Sequence, residues 1–456
     1  MNKNTSIELA SSAFPRIALR MAAALVALVA CVALASNVGA PHENLFAPEK
    51  AYAADAEAPA ETLDIQAATS STILNQPTKK QRKAFRVAAA DFSIDLLKRC
   101  VASKGGNANV TVSPLSVMDA LAVTANGAAG ATSAEMRNVL GDGMSMKSLN
   151  QALSWYNSKL VNTRKARLRT ANGIWYTNDG SLSIKNSFLK KAKNYYNAQV
   201  SAADFASPQT VADINGFVAQ NTNNMIKRII DRLESDAKLV IVNALYFDAK
   251  WANPFDKAAT WKAPFTSADG TKKKVDMMHA TEGTYLEGDG VVGFMKPYAK
   301  GYSYVALLPD EGVKINDFVS TLTGKRFRTL LSKKVQCPVD VALPKQKLEY
   351  SDENLQEQLA AMGMERAFSP KANFSKMGTS ADGNLYLGEV IHKTKVEIDE
   401  AGTKAAAATA VVAKATSAGP RDVKCVTLDR PFVYAIVDNT AKLPLFIGTV
   451  NDITAQ

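Results

Sequence analysis

Few residues of this 456-residue chain have a type and spacing that could do chemistry. Its histidines are His42, His279 and His392, and none of them lies in a hydrolase or metal motif. Ser187 and Lys190 have Ser-x-x-Lys spacing, but the Ser-Asp-Asn and Lys-Thr-Gly elements that accompany it in hydrolases are missing. No Gly-x-Ser-x-Gly elbow, His-Glu-x-x-His, phosphate loop or dinucleotide fingerprint occurs. The sequence therefore predicts a protein that is not an enzyme, with no catalytic residue and no cofactor.

The four cysteines, Cys31, Cys100, Cys337 and Cys425, are widely separated. Their spacing fits neither a disulfide framework nor a zinc site. Cys100 continues the apolar stripe of a predicted helix, and we interpret it as a core residue. No metal is predicted.

The segment from Glu400 to Ser417 could act by changing conformation rather than by catalysing a reaction. It reads Glu-Ala-Gly-Thr-Lys-Ala-Ala-Ala-Ala-Thr-Ala-Val-Val-Ala-Lys-Ala-Thr-Ser, between two strand-like segments. Alternate residues would share one face of an extended strand, and on one face all are compact: Thr403, Ala405, Ala407, Thr409 and Val411. Such a segment could be exposed in one state and enter a sheet in another. We therefore interpret it as a conformational switch.

The elements around this segment predict one mixed α+β domain. Hydrophobic residues make up 47% of the chain and charged residues 21%, values typical of a globular protein with a sizeable core. Apolar residues fall at helical spacing from Phe85 onwards, 117–126 reads as a buried helix, and Thr132–Glu135 reads as a capping box. The apolar run Leu239–Phe247 is typical of a central strand covered on both faces. We expect a leader over 1–53, a flexible tether over 54–82 and a monomeric domain over 83–456.

The leader has the pattern of an export signal. Arg16 and Arg20 precede an uncharged, largely apolar run over 21–40. Where the signal ends is left open among a lipid-modified Cys31, cleavage at Ala33–Ala35 or Ala51–Ala53, and an uncleaved anchor. We expect an exported protein, extracellular or held at the cell surface.

The formal net charge of +11 bears on partners. Basic clusters occur at 79–83, 164–169, 190–191 and 272–274, and a basic surface favours anionic polymers or glycans. No cluster carries interleaved aromatic residues or a nucleic-acid fold signature, so nucleic acid is not an expected partner. The simplest interpretation is a solvated face, with an anionic polymer or glycan as the alternative.

Polar residues interrupt several of the apolar segments. They are Ser113, Ser116, Asn243 and His392. Buried polar groups need partners. These four could bond to one another at a sheet crossing, or each could satisfy its own turn or backbone, and the sequence leaves both interpretations open.

An ordered set of motifs covering about Phe85 to Val450 resembles the serpins. The set is Asn109–Ser116, Asn126–Thr132, Val242–Phe247, Trp251–Phe255, Val275–Met278, His392–Lys393, Ile398–Thr403, Ala405–Ala408, Arg430–Phe432 and Pro444–Gly448. The resemblance implies three β-sheets, eight or nine helices and an exposed reactive-centre loop. In that family a protease attacks the loop and forms an acyl-enzyme, and the cleaved loop then inserts into the central sheet.

The resemblance also assigns roles to residues, none of them catalytic. It implies a hinge at Glu400, Gly402 and Thr403, followed by a small-residue run at Ala405, Ala406, Ala407 and Ala408. It implies a shutter beneath the opening sheet at Ser113, Ser116, Asn243 and His392, and a breach at its top at Trp251. A charge at an inward hinge position would carry a large burial cost.

The family's seventeen-residue spacing from Glu400 places the reactive bond at Thr416–Ser417. A small residue there suits an elastase-like or subtilisin-like protease, while Lys414 is a trypsin-like alternative and Arg421 a more remote one. The expected function is irreversible suicide inhibition of serine proteases, which would be the covalent partners. The alternative is a non-inhibitory serpin that acts as a binding or chaperone-like protein.

Overall fold

The computed structural model describes residues 76–234, 237–352, 355–388, 390–403 and 423–453. All of them fall within one compact unit, Leu63–Gln456. The helices are α1 Lys79–Ser103, α2 Pro114–Ala125, α3 Gly130–Gly141, α4 Met146–Lys159, α5 Asn186–Tyr196, α6 Pro208–Asn221, α7 Ile315–Thr321, α8 Gly324–Ser332 and α9 Leu355–Leu359.

The strands form three sheets. They are β1 Val110–Val112, β2 Ala166–Thr177, β3 Leu182–Ile184, β4 Gln199–Ala203, β5 Leu239–Lys250, β6 Thr260–Thr266, β7 Lys272–Gly288, β8 Val291–Pro297, β9 Tyr302–Pro309, β10 Val335–Pro344, β11 Gln346–Asp352, β12 Gly378–Ser380, β13 His392–Ile398, β14 Gly402–Thr403, β15 Lys424–Thr427, β16 Phe432–Asp438 and β17 Leu443–Val450. The α+β class and the three sheets confirm the fold prediction.

The six-stranded sheet has the order β11-β13-β14-β5-β2-β4. On one face, Val242 and Ala244 of β5 pack in a cluster with Ile214 and Val218 of α6. Phe247, also of β5, belongs to the main core together with α1 and α2. This confirms that the Leu239–Phe247 run is a central strand covered on both faces.

The nine-stranded sheet runs β1-β17-β16-β9-β8-β7-β10-β15, with β6 paired to β7. Strands β16 and β17 are buried along their whole length. The third sheet pairs β3 with β12. Because β15 is an edge strand, the chain re-enters this sheet at an edge after the segment 404–422, which lies outside the described residues.

The first helix begins earlier than predicted. Helix α1 starts at Lys79, so the boundary placed after residue 82 is too late. Thr78 Oγ1 accepts the N–H of Gln81 at 3.2 Å, and Gln81 Oε1 accepts the N–H of Thr78 at 2.7 Å. This capping box starts the helix among charged residues that show no apolar periodicity.

Two other local predictions need correction. Helix α2 begins at Pro114 rather than Val117, because proline is well accommodated in a first turn whose N–H groups are unpaired. Thr132–Glu135 lies inside α3 and forms no capping box. Thr132 Oγ1 instead accepts the N–H of Asn373 at 3.0 Å, and Glu135 pairs with Arg366 at 3.0 Å. Both side chains therefore contact residues that are distant in the sequence.

Three further features of the sequence are Cys100, the leader and the residues that could bind a metal. Cys100 is fully buried in the main core, as expected, and burial raises the pKa of its thiol to about 12. Within the described ranges, no helix is long and apolar enough to cross a membrane, and no group of side chains could hold a metal ion. The leader over 1–53 lies outside those ranges.

Candidate functional site

The switch segment begins with a closed turn, Asp399–Thr403, which we call the hinge turn. The side chain of Asp399 holds it, since Oδ1 accepts the N–H groups of Ala401 at 2.8 Å and Gly402 at 3.1 Å. The Asp399 N–H donates to the Gly402 carbonyl at 3.0 Å. An aspartate that bonds the backbone two and three residues ahead fixes a tight reversal of the chain.

After this reversal, Gly402 and Thr403 form the short strand β14 between β13 and β5. Thr403 pairs with Ile398 of β13 and with Ala249 of β5, and both pairings are antiparallel. A Cβ atom on Gly402 would lie 2.1 Å from the Ala249 carbonyl oxygen, so only glycine fits this approach. Strand β14 therefore bridges the two strands through the backbone, with Gly402 paired to β5 and Thr403 paired to both.

Thr403 is the inward-facing residue of this strand and is 1% exposed. Its Oγ1 lies 2.5 Å from the hydroxyl of Tyr298. Burial raises the pKa of the Tyr298 hydroxyl, which keeps it neutral beside the threonine. The ring of Tyr298 stacks on Trp251 with centroids 4.4 Å apart, so the threonine is seated in an aromatic pocket.

The segment Trp251–Phe255, which we call the breach loop, holds the backbone of the hinge turn. Trp251 Nε1 donates to the carbonyl of Asp399 at 2.9 Å, and the Trp251 N–H donates to Ala401 at 3.0 Å. The N–H of Phe255 donates to the carbonyl of Glu400 at 2.9 Å. Three consecutive hinge carbonyls thus accept hydrogen bonds from one loop.

The side chain of Glu400 makes its own contact. It pairs with Lys345 at 3.3 Å, and the two side chains are 13% and 27% exposed. Lys345 lies between β10 and β11, so this pair joins the hinge turn to the edge of the six-stranded sheet. Partial exclusion from water makes such a pair stronger than one on the open surface.

The four predicted shutter residues form two separate pairs rather than one network. His392 Nε2 accepts the backbone N–H of Ser113 at 3.0 Å. Ser116 Oγ donates to Asn243 Oδ1, and Asn243 Nδ2 donates to Asn172 Oδ1 at 2.6 Å. Each of the two central strands is therefore tied to α2 or the residue preceding it, β13 through His392 and β5 through Asn243.

His392 is fully enclosed in this arrangement, and burial lowers the pKa of its imidazole to about 4, with Asp352 opposing the shift. The neutral ring is the form that can accept at Nε2. The shutter is therefore built around an uncharged histidine at neutral pH.

Three residues of the site were missed by sequence reasoning. Asn172 sits mid-strand in β2, but Arg167 and Arg169 precede it, so it lacks the apolar surroundings that marked Asn243. Tyr298 and Lys345 carry no such signal, because their partners lie more than fifty residues away in the chain. The small-residue run Ala405–Ala408 and the bond Thr416–Ser417 lie outside the described residues, as do Lys414 and Arg421.

Comparisons with known proteins show which family the chain resembles. The family model "Serpin (serine protease inhibitor)" matches residues 87–453. An uncharacterized serpin-like protein of Thermococcus kodakarensis is 33% identical over 380 residues, which cover 81% of this chain and 85% of that protein.

Solved structures show the same fold. The thermophilic serpin tengpin in its native state is 41% identical, with a TM-score of 0.77 over 83% of this chain and 96% of tengpin. Human thyroxine-binding globulin complexed with its ligand is 25% identical, with a TM-score of 0.73 over 82% of this chain and all of that one. The chain therefore has the serpin fold and belongs to the serpin family. Serpins are generally protease inhibitors rather than catalysts.

Proposed function

We propose that this protein is an irreversible suicide-substrate inhibitor of serine proteases. It traps the acyl-enzyme by inserting its cleaved reactive loop into the six-stranded sheet. The observation that carries the proposal is β14, since Thr403 is paired to both β13 and β5, and Gly402 before it is paired to β5. An inserting loop would extend a strand that has already begun.

The register of β14 determines where an extended strand would lie. Thr403 is opposite Ile398 and Ala249, so in the same antiparallel register Thr409 would come opposite both His392 and Asn243. The distance along the strand is about 20 Å at the usual rise per residue. The inserted threonine would thus meet the shutter, with its hydroxyl facing inward as that of Thr403 does.

The sequence between these points supports insertion. Ala405 and Ala407 would occupy the inward positions between Thr403 and Thr409, and a small side chain buries without displacing its neighbours. The only charged residue in this stretch, Lys404, would face outward. The free-energy cost of inserting a strand with this pattern into a covered sheet would therefore be small.

We place the reactive bond at Thr416–Ser417, which favours an elastase-like or subtilisin-like target. Lys414 would direct the inhibitor to a trypsin-like protease instead. The leader over 1–53 supports action outside the cell. The non-inhibitory alternative draws on the likeness to thyroxine-binding globulin, whose structure contains bound thyroxine.

The test is incubation with pancreatic elastase, subtilisin and trypsin, followed by denaturing electrophoresis. We expect a covalent complex with the first two and release of a C-terminal peptide that starts at Ser417. A peptide that starts at Ala415 would move the bond to Lys414. Clean loop cleavage without a complex, at every protease concentration, would overturn inhibition in favour of the binding or chaperone-like alternative.

A second measurement tests insertion by itself. Cleavage of the loop should raise the midpoint of thermal unfolding markedly, because the new strand adds backbone hydrogen bonds and buried area to the sheet. An unchanged midpoint after complete cleavage would mean that the loop does not insert.

A further inference from the structure

A buried ion pair lies behind the breach loop. Lys296 of β8 and Glu282 of β7 are in contact at 2.5 Å, with side chains only 1% and 6% exposed. Burial lowers the pKa of Lys296 and raises that of Glu282, and each charge opposes the shift of the other. Two charges removed from water in this way carry a desolvation cost that their attraction must offset.

Lys296 also contacts the breach loop. Its Nζ donates to the carbonyl of Asn253 at 2.8 Å and lies 4.1 Å from the ring centroid of Phe255 and 5.4 Å from that of Trp251. A buried ammonium over aromatic faces is held by the ring quadrupoles as well as by its hydrogen bonds. The lysine therefore fixes the loop at its middle and at both ends.

The breach loop in turn fixes the hinge turn. Lys296 lies over the ring of Phe255, and the backbone N–H of Phe255 donates to the carbonyl of Glu400 at 2.9 Å. The contacts thus run without interruption from Glu282 to Lys296, to the breach loop and to the hinge turn. Every step is a hydrogen bond, an ion pair or a cation–π contact.

Glu282 is also in register with the strand at the far end of the reactive loop. Glu282 is opposite Val339 of β10, and Val339 is opposite Lys424, the first residue of β15. The chain leaves the hinge at Thr403 and returns at β15. Glu282 is therefore connected to both ends of the loop, through contacts at one end and through strand registers at the other.

We propose that Glu282 and Lys296 are positioning residues for loop insertion, which hold the breach loop so that the hinge turn enters between β13 and β5. The proposal rests on the inhibitory function proposed above. Their role is to set how efficiently the cleaved loop inserts and not how fast it is cleaved.

The physical reason is that a buried ion pair can matter more for the path of the breach loop than for the stability of the fold. A buried ion pair is often replaceable by apolar residues of similar volume with little loss of stability. An apolar pair, however, offers no donor to the Asn253 carbonyl and no charge to the rings of Phe255 and Trp251. The loop would then lose the contacts that define its path while the core stayed filled.

The test is the double variant Glu282→Met/Lys296→Met, assayed against the protease that forms the covalent complex. We expect a near-native midpoint of unfolding and an unchanged rate of loop cleavage. The stoichiometry of inhibition should rise on the order of fivefold, the effect of one ordinary hydrogen bond on a rate ratio. The matched control is Lys262→Met/Asp276→Asn, which removes a partly exposed pair between β6 and β7 at 3.2 Å and should inhibit like the wild type.

A wild-type stoichiometry in the folded double variant would overturn the proposal, and so would an equal rise in the control. If the double variant does not fold, Phe255→Leu decides, because it keeps the ion pair and removes one ring. A raised stoichiometry supports the proposal, and a wild-type value overturns it.

Failure of the proposed function is distinguishable. If the wild-type chain forms no complex, hydrogen exchange is measured at the amides of Trp251 and Phe255, which donate to the hinge turn. Faster exchange at these two amides in the double variant, with the control unchanged, supports positioning by Glu282 and Lys296. Equal exchange in all three proteins overturns it.

Discussion

At the hinge end of the boundary between β13 and β5, Gly402 and Thr403 join the two strands through backbone pairing. Six residues further along each strand, at the shutter, the anchors are side chains: His392 accepts from Ser113, and Asn243 bonds to Ser116. The pairing that joins the two strands at the first end uses groups that every residue carries. The second is held by three particular side chains and one backbone amide.

This difference indicates where the sequence would control the proposed loop insertion. Backbone pairing accepts any residue whose side chain fits, so the hinge end is selective for size and charge. The shutter ties β13 and β5 to separate points near the start of α2. It therefore depends on which polar side chains are present and on the protonation state of His392. Entry of the loop should depend on the hinge end, and completion of insertion on the shutter.

The largest expected effect breaks the hinge end. In Thr403→Arg, a charge must enter a position that is 1% exposed, at a cost of several kcal/mol. We expect the stoichiometry of inhibition to rise at least ~tenfold, with the variant cleaved as a substrate. Titration of protease activity measures it, Thr403→Ser is the control, and full inhibition by the arginine variant would contradict the assignment of the hinge.

A smaller effect at the same end tests size alone. In Gly402→Ala, the new Cβ would approach the Ala249 carbonyl oxygen to 2.1 Å, and relieving this clash costs about 1–3 kcal/mol. We expect a severalfold rise in the stoichiometry of inhibition without loss of the native fold. Ala401→Ser, one residue away, should behave as the wild type. Equal inhibition by both variants would show that β14 pairing does not matter to insertion.

The shutter is tested through pH. The folded-state pKa of His392, about 4, lies below the unfolded value near 6.5, so the native state binds fewer protons. Its contribution to stability is therefore complete above pH ~6.5 and is lost as pH falls towards about 4. Between pH 7.5 and 5.0 we expect the wild type to lose ~2 kcal/mol more than His392→Gln.

Denaturant unfolding of both proteins at the two pH values measures this difference. Comparison with the variant is needed because Asp119 acts in the opposite direction: burial raises its pKa to about 7, so its contribution falls as pH rises. Parallel losses in the two proteins would contradict a buried, neutral His392.

The smallest expected effect concerns both the hinge end and the shutter. If the loop inserts in the register of β14, Thr409→Val removes a hydroxyl that would lie between His392 and Asn243 in the cleaved form. We expect the cleaved form to lose about 1 kcal/mol of stability, the net value of one hydrogen bond, while the native form is unaffected. Unfolding of both forms in guanidinium chloride measures it. A loss in the native form instead would place the hydroxyl elsewhere.

The sequence by itself determined what depends on neighbours in the chain. The apolar run of β5 predicted a central strand, and the α+β class followed from the pattern of elements. The ordered motifs predicted the family. Local signals were weaker where tertiary contacts compete for the same side chain. Thr132 therefore looked like a cap and instead binds the backbone of Asn373.

Only the tertiary structure decided which polar groups meet. Ser113, Ser116, Asn243 and His392 were all recognisable from the sequence as polar residues in apolar segments. Their division into two pairs depends on how β13 and β5 lie against α2. The burial of Thr403 against Tyr298 and the path from Glu282 to the hinge turn likewise join segments far apart in the chain. Hydrogen bonds are decided over a few tenths of an ångström, and sequence spacing does not fix such distances between separate elements.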